Sequence, residues 1–93
     1  MKAGWFEKFG AAEDVIHVGE QPKPAVGVGQ VLVKLAASGV NPSDVKKRAG
    51  AFPHLLDNGL VIPHSDGAGT VEAVGKGVSA SRVGQRVWVY QAQ

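Results

Sequence analysis

The sequence predicts a mainly β domain, a barrel or a sandwich, with one short helix. Short valine-rich stretches recur along the chain, Gly or Pro residues separate them, and only one segment carries the start and stop signals of a helix. The valine-rich stretches are Lys2–Phe6, Val15–Val18, Val31–Ala37, Thr70–Val74 and Val87–Tyr90. We expect each of them to form a strand.

Length and composition indicate one small globular domain. Of the 93 residues, 44% are hydrophobic and 19% are charged, which is typical of folded chains rather than of disordered or membrane-spanning ones. A chain of this size buries about 60–65% of its unfolded surface, so we expect one modest core. The residues after Met1 do not resemble a signal peptide or a spanning helix, and the expected location is the cytoplasm.

Charge and cysteine content exclude several classes of function. The net charge is +2, and the basic residues are scattered apart from the triplet Lys46–Arg48. Nucleic-acid binding needs a stripe of several phosphate contacts, so we expect no nucleic-acid partner, and we expect no membrane partner either. The chain has no cysteine, which excludes disulfides and thiolate-bound metals.

The first two predicted strands are followed by an extended loop, because Pro22, Pro24, Gly27 and Gly29 favour extended or turning backbone. The next stretch, Val31–Leu35, is almost continuously apolar. Such a run predicts a strand that is covered on both faces.

The predicted helix begins after Asn41. Asparagine is a favourable N-cap, Pro42 suits the first helical position, and Asp44 at the third position can face the free backbone amides. The basic residues Lys46–Arg48 would lie in the last turn, where cations oppose the helix dipole, and Gly50 is a stop signal.

The glycines near position 70 do not form a dinucleotide site. After Gly67 and Gly69 the pattern requires a third glycine at position 72, which is Glu72. Thr70–Val74 is also strand-like, whereas a pyrophosphate needs the start of a helix. We interpret these glycines as places of bending or of close backbone approach.

Five stretches match one family in order and spacing: Met1–Ala3, Gly29–Lys34, Gly39–Asp44, Ile62–Gly75 and Gly84–Val87. They resemble the GroES-like catalytic domain of medium-chain dehydrogenases/reductases, most closely its quinone oxidoreductase branch. The resemblance implies a partly closed β-barrel, with residues 1–93 as the N-terminal part of the substrate-side domain. It also implies a Rossmann domain, absent from this chain, that binds most of the NADPH.

Zinc-dependent members of this superfamily would have a cysteine in place of Asn41 and a histidine in place of Ser65. An amide and a hydroxyl do not readily replace a thiolate and an imidazole, so we expect no metal site. His64 precedes the ligand position by one residue. In an extended strand that shift would turn its side chain to the opposite face.

The resemblance implies catalytic and cofactor-binding roles for Asn41, facing the cleft, and for Asp44, near the nicotinamide ribose. It implies a substrate pocket formed by Lys46, Ser65 and Asp66, although Lys46 replaces a tyrosine that quinone oxidoreductases often have. The residues also allow a purely structural interpretation, in which Asn41 and Asp44 cap the helix and Ser65 and Asp66 form a turn.

The implied reaction is hydride transfer from NADPH to a quinone or another conjugated carbonyl. Quinones need little acid catalysis, because the hydroquinone anion is delocalised and can take protons from solvent. Residues 1–93 alone would be inactive, and an uncovered edge around Val87–Tyr90 predicts a homo-oligomer. The alternatives are an enoyl-thioester or alkenal reductase of the same superfamily and a non-catalytic GroES-like interaction module.

Overall fold

The computed structural model describes residues 1–92, which form a mainly β structure that is not a closed barrel. Its elements in chain order are β1 (Lys2–Trp5), α1 (Ala12–Val15), β2 (His17–Glu20), β3 (Val31–Ser38), α2 (Pro42–Ala49), β4 (Gly67–Val74), a 3-10 turn (Ala80–Arg82) and β5 (Arg86–Val89). Within residues 1–92 no helix is long and apolar enough to cross a membrane. The predicted fold class is confirmed, with α2 as its one helix of more than a turn.

The chain divides into two compact units rather than forming the single core that was expected. The first unit contains residues 1–22 and 40–64, and the second contains residues 23–39 and 65–92. In the first unit β1 and β2 pair antiparallel, from Lys2 opposite Glu20 to Trp5 opposite His17. The core of this unit consists of Phe6, Val15 and Val61, with Phe9, Ile16, Leu55 and Leu56 packed against them.

The prediction of a strand beginning at Val15 is wrong. Val15 is the last residue of α1, and the strand β2 begins two residues later at His17. The backbone N–H of Val15 donates to the carbonyl of Ala11 at 3.1 Å, which is the hydrogen bond of a helical turn. This turn directs the Val15 side chain into the core, where it is 2% exposed.

In the second unit β3, β4 and β5 form an antiparallel sheet in that order. Val71 in the central strand β4 is 1% exposed. The expectation that Val31–Leu35 would be covered on both faces is wrong, since Val31 is 37% exposed and Leu35 50%. An apolar run marks a strand, but burial requires a neighbouring layer, and the run itself does not specify one.

Gly69 allows β3 and β4 to approach closely, as the sequence predicts. A Cβ atom at this position would collide with the backbone carbonyl of Lys34 on the neighbouring strand. At Gly67 a Cβ would lie 2.6 Å from the carbonyl oxygen of Ala37. Because backbone atoms cannot move aside as a flexible side chain can, both positions require glycine.

We expect Gly69→Ala to lower the free energy of unfolding by about 1–3 kcal/mol, since the added methyl group overpacks the β3–β4 pair. Gly4→Ala in β1 is the matched control, because its Cβ would meet nothing closer than the carbonyl oxygen of His17 at 3.8 Å. Chemical denaturation followed by circular dichroism measures both variants. Equal losses at the two positions would contradict the close-approach explanation.

Candidate functional site

The start of helix α2 is fixed by hydrogen bonds between Asn41 and Asp44. Asn41 is the N-cap, in extended conformation, and Pro42 is the first helical residue. The backbone N–H of Asn41 donates to Oδ2 of Asp44 at 2.8 Å, and the N–H of Asp44 donates to the carbonyl of Asn41 at 3.0 Å. The helix ends at Gly50, whose φ is +98°. The predicted helix and both of its ends are confirmed.

The second carboxylate oxygen of Asp44 binds a distant part of the chain. Oδ1 accepts a hydrogen bond of 2.9 Å from the backbone N–H of His64, which lies twenty residues further along. The side chain is only 6% exposed, and it is the one charged residue in the buried class among residues 1–92. A buried carboxylate needs compensating donors, and here two backbone amides from different segments supply them.

His64 adopts a backbone conformation that a residue with a side chain rarely takes. Its φ is +80°, and the left-handed region costs about 1–2 kcal/mol for residues other than glycine. A hydrogen bond to a charged acceptor contributes about 1.5–3 kcal/mol, which is enough to offset this strain. Asp44 therefore holds His64 in its unusual conformation.

The argument that His64 turns away from the expected zinc-ligand position does not apply to this structure. It assumed an extended strand, whereas residues 62–66 belong to no strand and His64 has positive φ. A different observation bears on metal binding. Among residues 1–92 no three His, Cys, Asp or Glu side chains come together in a way that could hold a metal ion.

The buried carboxylate of Asp44 lines a recess of about 230 Å³ in the first unit, which we call the α2 recess. Arg48 lies on its wall and donates from Nη1 to the carbonyl of Gly10 at 2.7 Å. Apolar walls with a few polar groups are the usual chemistry of small-molecule sites. The residues that line the recess are Phe6, Ala12, Ile16, Val40, Asp44, Val45, Arg48, Pro63 and His64.

The structure divides the predicted site residues between the two units. Asn41 and Asp44 come together in the first unit, where Lys46 lies exposed on α2. Ser65 and Asp66 belong to the second unit, and both are partly buried.

Each residue of this second pair takes part in a backbone hydrogen bond. The carbonyl of Ser65 accepts from the N–H of Ala92, and the carbonyl of Asp66 accepts from the N–H of Gly39, both at 2.8 Å.

Sequence reasoning missed the role of the His64 backbone. A histidine carries no signal for positive φ in the way that a glycine does, so the Asp44–His64 contact had no local indicator. Tyr90 is 66% exposed. It lies just after β5 and stacks on Trp88.

Comparison with known proteins establishes the family. Residues 27–93 match the family model of the alcohol dehydrogenase GroES-like domain, which is well over half of the chain. The chain belongs to this family. The predicted resemblance to GroES-like domains of medium-chain dehydrogenases/reductases is thus confirmed.

Two relatives illustrate the range of this GroES-like domain family. An alcohol dehydrogenase of Geobacillus stearothermophilus is 37% identical over 95 aligned residues, which cover 99% of this chain and 27% of the relative. A quinone oxidoreductase of Rattus norvegicus is 38% identical over 93 residues, which cover 97% of this chain and 27% of the relative. The GroES-like domain described here therefore spans about a quarter of the length of these relatives.

Solved structures include similar GroES-like domains in complexes with nicotinamide cofactors. A mycobacterial protein complexed with NADPH has a TM-score of 0.84 and 36% identity, with 98% of this chain and 28% of that chain covered. The crotonyl-CoA carboxylase/reductase AntE in complex with NADP has a TM-score of 0.80 and 32% identity, with 97% and 24% covered.

We expect Asp44→Ala to lower the free energy of unfolding by about 2–4 kcal/mol, because the N–H groups of Asn41 and His64 both lose their acceptor. Asp57→Ala is the control, since Asp57 is exposed and pairs only with the exposed His54. The free energy of unfolding of Asp57→Ala should fall by less than about 0.5 kcal/mol. Denaturant titration of both variants measures the difference, and similar losses would show that Asp44 does not connect the two segments.

Proposed function

We propose that this GroES-like domain is the substrate-side part of an NADPH-dependent oxidoreductase that reduces quinones or other conjugated carbonyls without zinc. Residues 1–93 form the N-terminal part of that domain and are inactive by themselves. The longer protein binds NADPH mainly through a second, Rossmann-type domain. It acts in the cytoplasm as a homo-oligomer on a small-molecule substrate.

The proposal rests on the side chains at positions 41 and 65. Zinc-dependent relatives would place a thiolate and an imidazole there, whereas this chain has Asn41 and Ser65. Neither side chain is a good ligand for Zn²⁺. The carboxylate of Asp44 nearby already accepts two backbone hydrogen bonds. The residues present at these positions do not fit a catalytic zinc ion.

In this proposal another part of the longer protein binds the phosphates of NADPH. Gly67 and Gly69 lie inside strand β4, which continues to Val74, so these glycines do not lead directly into a helix that could receive a pyrophosphate. One relative is a quinone oxidoreductase, and one similar solved structure is a complex with NADPH. Both support NADPH as the cofactor. This domain then forms one wall of the site and positions the substrate.

In the proposed reaction a quinone accepts a hydride from the reduced nicotinamide and a proton from solvent, giving a hydroquinone and NADP⁺. The domain contributes geometry and exclusion of water rather than acid catalysis. Asn41 faces substrate and nicotinamide, while Asp44 keeps Asn41 and the loop at His64 in place through its backbone contacts. Lys46, Ser65 and Asp66 are proposed to contact the substrate, as the resemblance implies.

A second candidate function is the reduction of an enoyl thioester. The similarity to a crotonyl-CoA carboxylase/reductase favours it, because that protein shares the fold and a nicotinamide cofactor. The acceptor in both reactions is a conjugated carbonyl system, so the domain would face the same requirement to orient a planar group. A non-catalytic interaction module remains the third alternative.

We expect the longer enzyme to oxidise NADPH faster with quinones than with enoyl thioesters, and to keep its full activity after dialysis against a chelator. Absorbance at the NADPH band measures turnover over a panel of both substrate classes. Metal analysis of the same sample should find zinc well below one ion per chain. Activity that requires zinc, or a preference for enoyl thioesters, would contradict the proposed function.

We expect Asn41→Ala to reduce kcat/KM about a hundredfold in the longer enzyme, since a misplacement of about one ångström has effects of that size. The loss of the helix cap costs about 0.5–2 kcal/mol of stability, whether or not Asn41 also positions the substrate. Ser79→Ala is the control, because Ser79 is the N-cap of the 3-10 turn and accepts from the N–H of Ser81. If both variants keep the parent kcat/KM, Asn41 is only a helix cap.

A further inference from the structure

Arg48 joins helix α2 to a second segment of the chain through two hydrogen bonds. Nη1 of its guanidinium donates to the carbonyl of Gly10 at 2.7 Å, and the N–H of Gly10 donates to the carbonyl of Arg48 at 3.0 Å. The last four carbonyls of a helix have no partner within the helix. Gly10 therefore caps the C-terminal end of α2, although it lies 38 residues earlier in the chain.

The segment at Gly10 is packed against the core of the first unit. A Cβ atom on Gly10 would lie 2.9 Å from Cγ1 of Val15, which is 2% exposed. The neighbouring ring of Phe9 lies beside the C-cap Gly50, where an added Cβ would be 3.5 Å from its Cγ. The same ring is tilted against Phe6, at a centroid distance of 6.5 Å. Gly10 is thus a well-packed attachment point for the helix.

Three hydrogen-bonded contacts between distant residues close a ring of chain beside the α2 recess. The stretches of chain between the contacts are short: α2 itself, residues 61–64 and residues 6–10. Every part of the ring belongs to the first unit, and four of the contacting residues line the recess. The three contacts are Phe6 with Val61, Asp44 with His64, and Arg48 with Gly10.

Two of these contacts hold different halves of α2. Asp44 lies in the first turn and Arg48 one turn later, so their side chains leave the same face of the helix. Within residues 1–92, Asp44 is the one buried residue of α2, and Val45 is 52% exposed. Hydrogen bonds rather than apolar packing therefore fix the helix in this part of the chain. Both contacts are internal to residues 1–64, whatever covers the outer face of α2.

We propose that Arg48 is a positioning residue, which keeps Asn41 correctly placed for the reaction by holding the C-terminal half of α2 at Gly10. The inference rests on the proposed function, in which Asn41 faces substrate and nicotinamide. Arg48 itself contacts neither ligand and acts through the helix.

The dimensions of the helix allow such an effect. At 1.5 Å per residue, Asn41 lies about 4.5 Å before Asp44 along the axis, and Arg48 lies about 6 Å after it. Without the guanidinium the helix would pivot about its remaining contact at Asp44. A shift of about 1 Å at Arg48 would then move Asn41 by roughly 0.75 Å. Misplacements of about that size cost on the order of a hundredfold in rate.

Hydrogen exchange of the longer enzyme tests this coupling without depending on turnover. Arg48→Met removes the donors but keeps an apolar side chain. We expect the amides of Asn41 and His64 to exchange about tenfold faster or more, the size expected when a hydrogen bond from a charged donor is lost and the ring opens locally. Unchanged exchange at both amides would overturn the proposal.

Arg82→Met is the matched control for the exchange measurement. Arg82 lies exposed in the 3-10 turn, and its guanidinium also makes one hydrogen bond, from Nε to Oε1 of Gln85 at 3.1 Å. This variant should leave the exchange of Asn41 and His64 at the parent rates. Equal acceleration by both variants would show a general loss of stability and contradict a specific role for Arg48. Arg48→Gln, which is polar and shorter, replaces Arg48→Met in every measurement if that variant does not fold.

A double-mutant cycle tests whether Arg48 acts through Asn41. With the better substrate of the two proposed classes, Arg48→Met should lower kcat by about ten- to a hundredfold and change KM little, because a reacting geometry is misplaced. In an Asn41→Ala background the same change should have almost no further effect, since coupled residues are not additive. Losses that multiply independently would overturn the proposal.

Arg48→Lys tests the hydrogen bond itself. The guanidinium donates one N–H to one carbonyl, and an ammonium group can supply such a donor, so this variant should recover most of the parent kcat. A lysine variant as slow as Arg48→Met would contradict the assigned contact. A parent enzyme that reduces neither quinones nor enoyl thioesters would contradict the proposed function, and the exchange rates would then decide the role of Arg48 alone.

Discussion

The carboxylate of Asp44 is the interaction on which the geometry of the site depends. One oxygen accepts from the N–H of Asn41 and the other from the N–H of His64, at 2.8 Å and 2.9 Å. The group is almost fully buried, so its charge is compensated by these fixed donors rather than by water. This contact joins the start of helix α2 to a loop twenty residues away and holds His64 at positive φ.

This contact changes the interpretation of Asp44. The resemblance to quinone oxidoreductases implied that Asp44 touches cofactor and substrate directly, together with Asn41. A carboxylate with little exposed surface and two backbone partners acts more effectively by positioning its neighbours. The α2 recess, which the carboxylate lines, has mainly apolar walls.

In the sheet of the second unit the strands pack closely against each other, while two aromatic side chains stay exposed. Glycines in β4 let the strand β3 approach so closely that a methyl group would not fit. The same sheet leaves Trp88 and Tyr90 exposed beside β5. Close packing inside the sheet stabilises the strands, but among residues 1–92 it adds no layer over these two aromatic side chains.

The sequence by itself determined the elements whose signals are local. Proline and asparagine at the start of α2 and Gly50 at its end predicted that helix correctly, because capping depends on residues within one turn. Valine-rich stretches located all five strands, although their ends differ by one to three residues and Val15 lies in a helix. The residue at position 72 predicted that Gly67 and Gly69 belong to a strand, as they do in β4.

Tertiary structure decided whatever depends on contacts between distant residues. Three features had no signal in their own segments: the Asp44–His64 hydrogen bond, the positive φ of His64 and the exposure of Leu35. A side chain's burial depends on which other elements pack against it. A strained backbone angle persists only when the structure around it compensates for its cost.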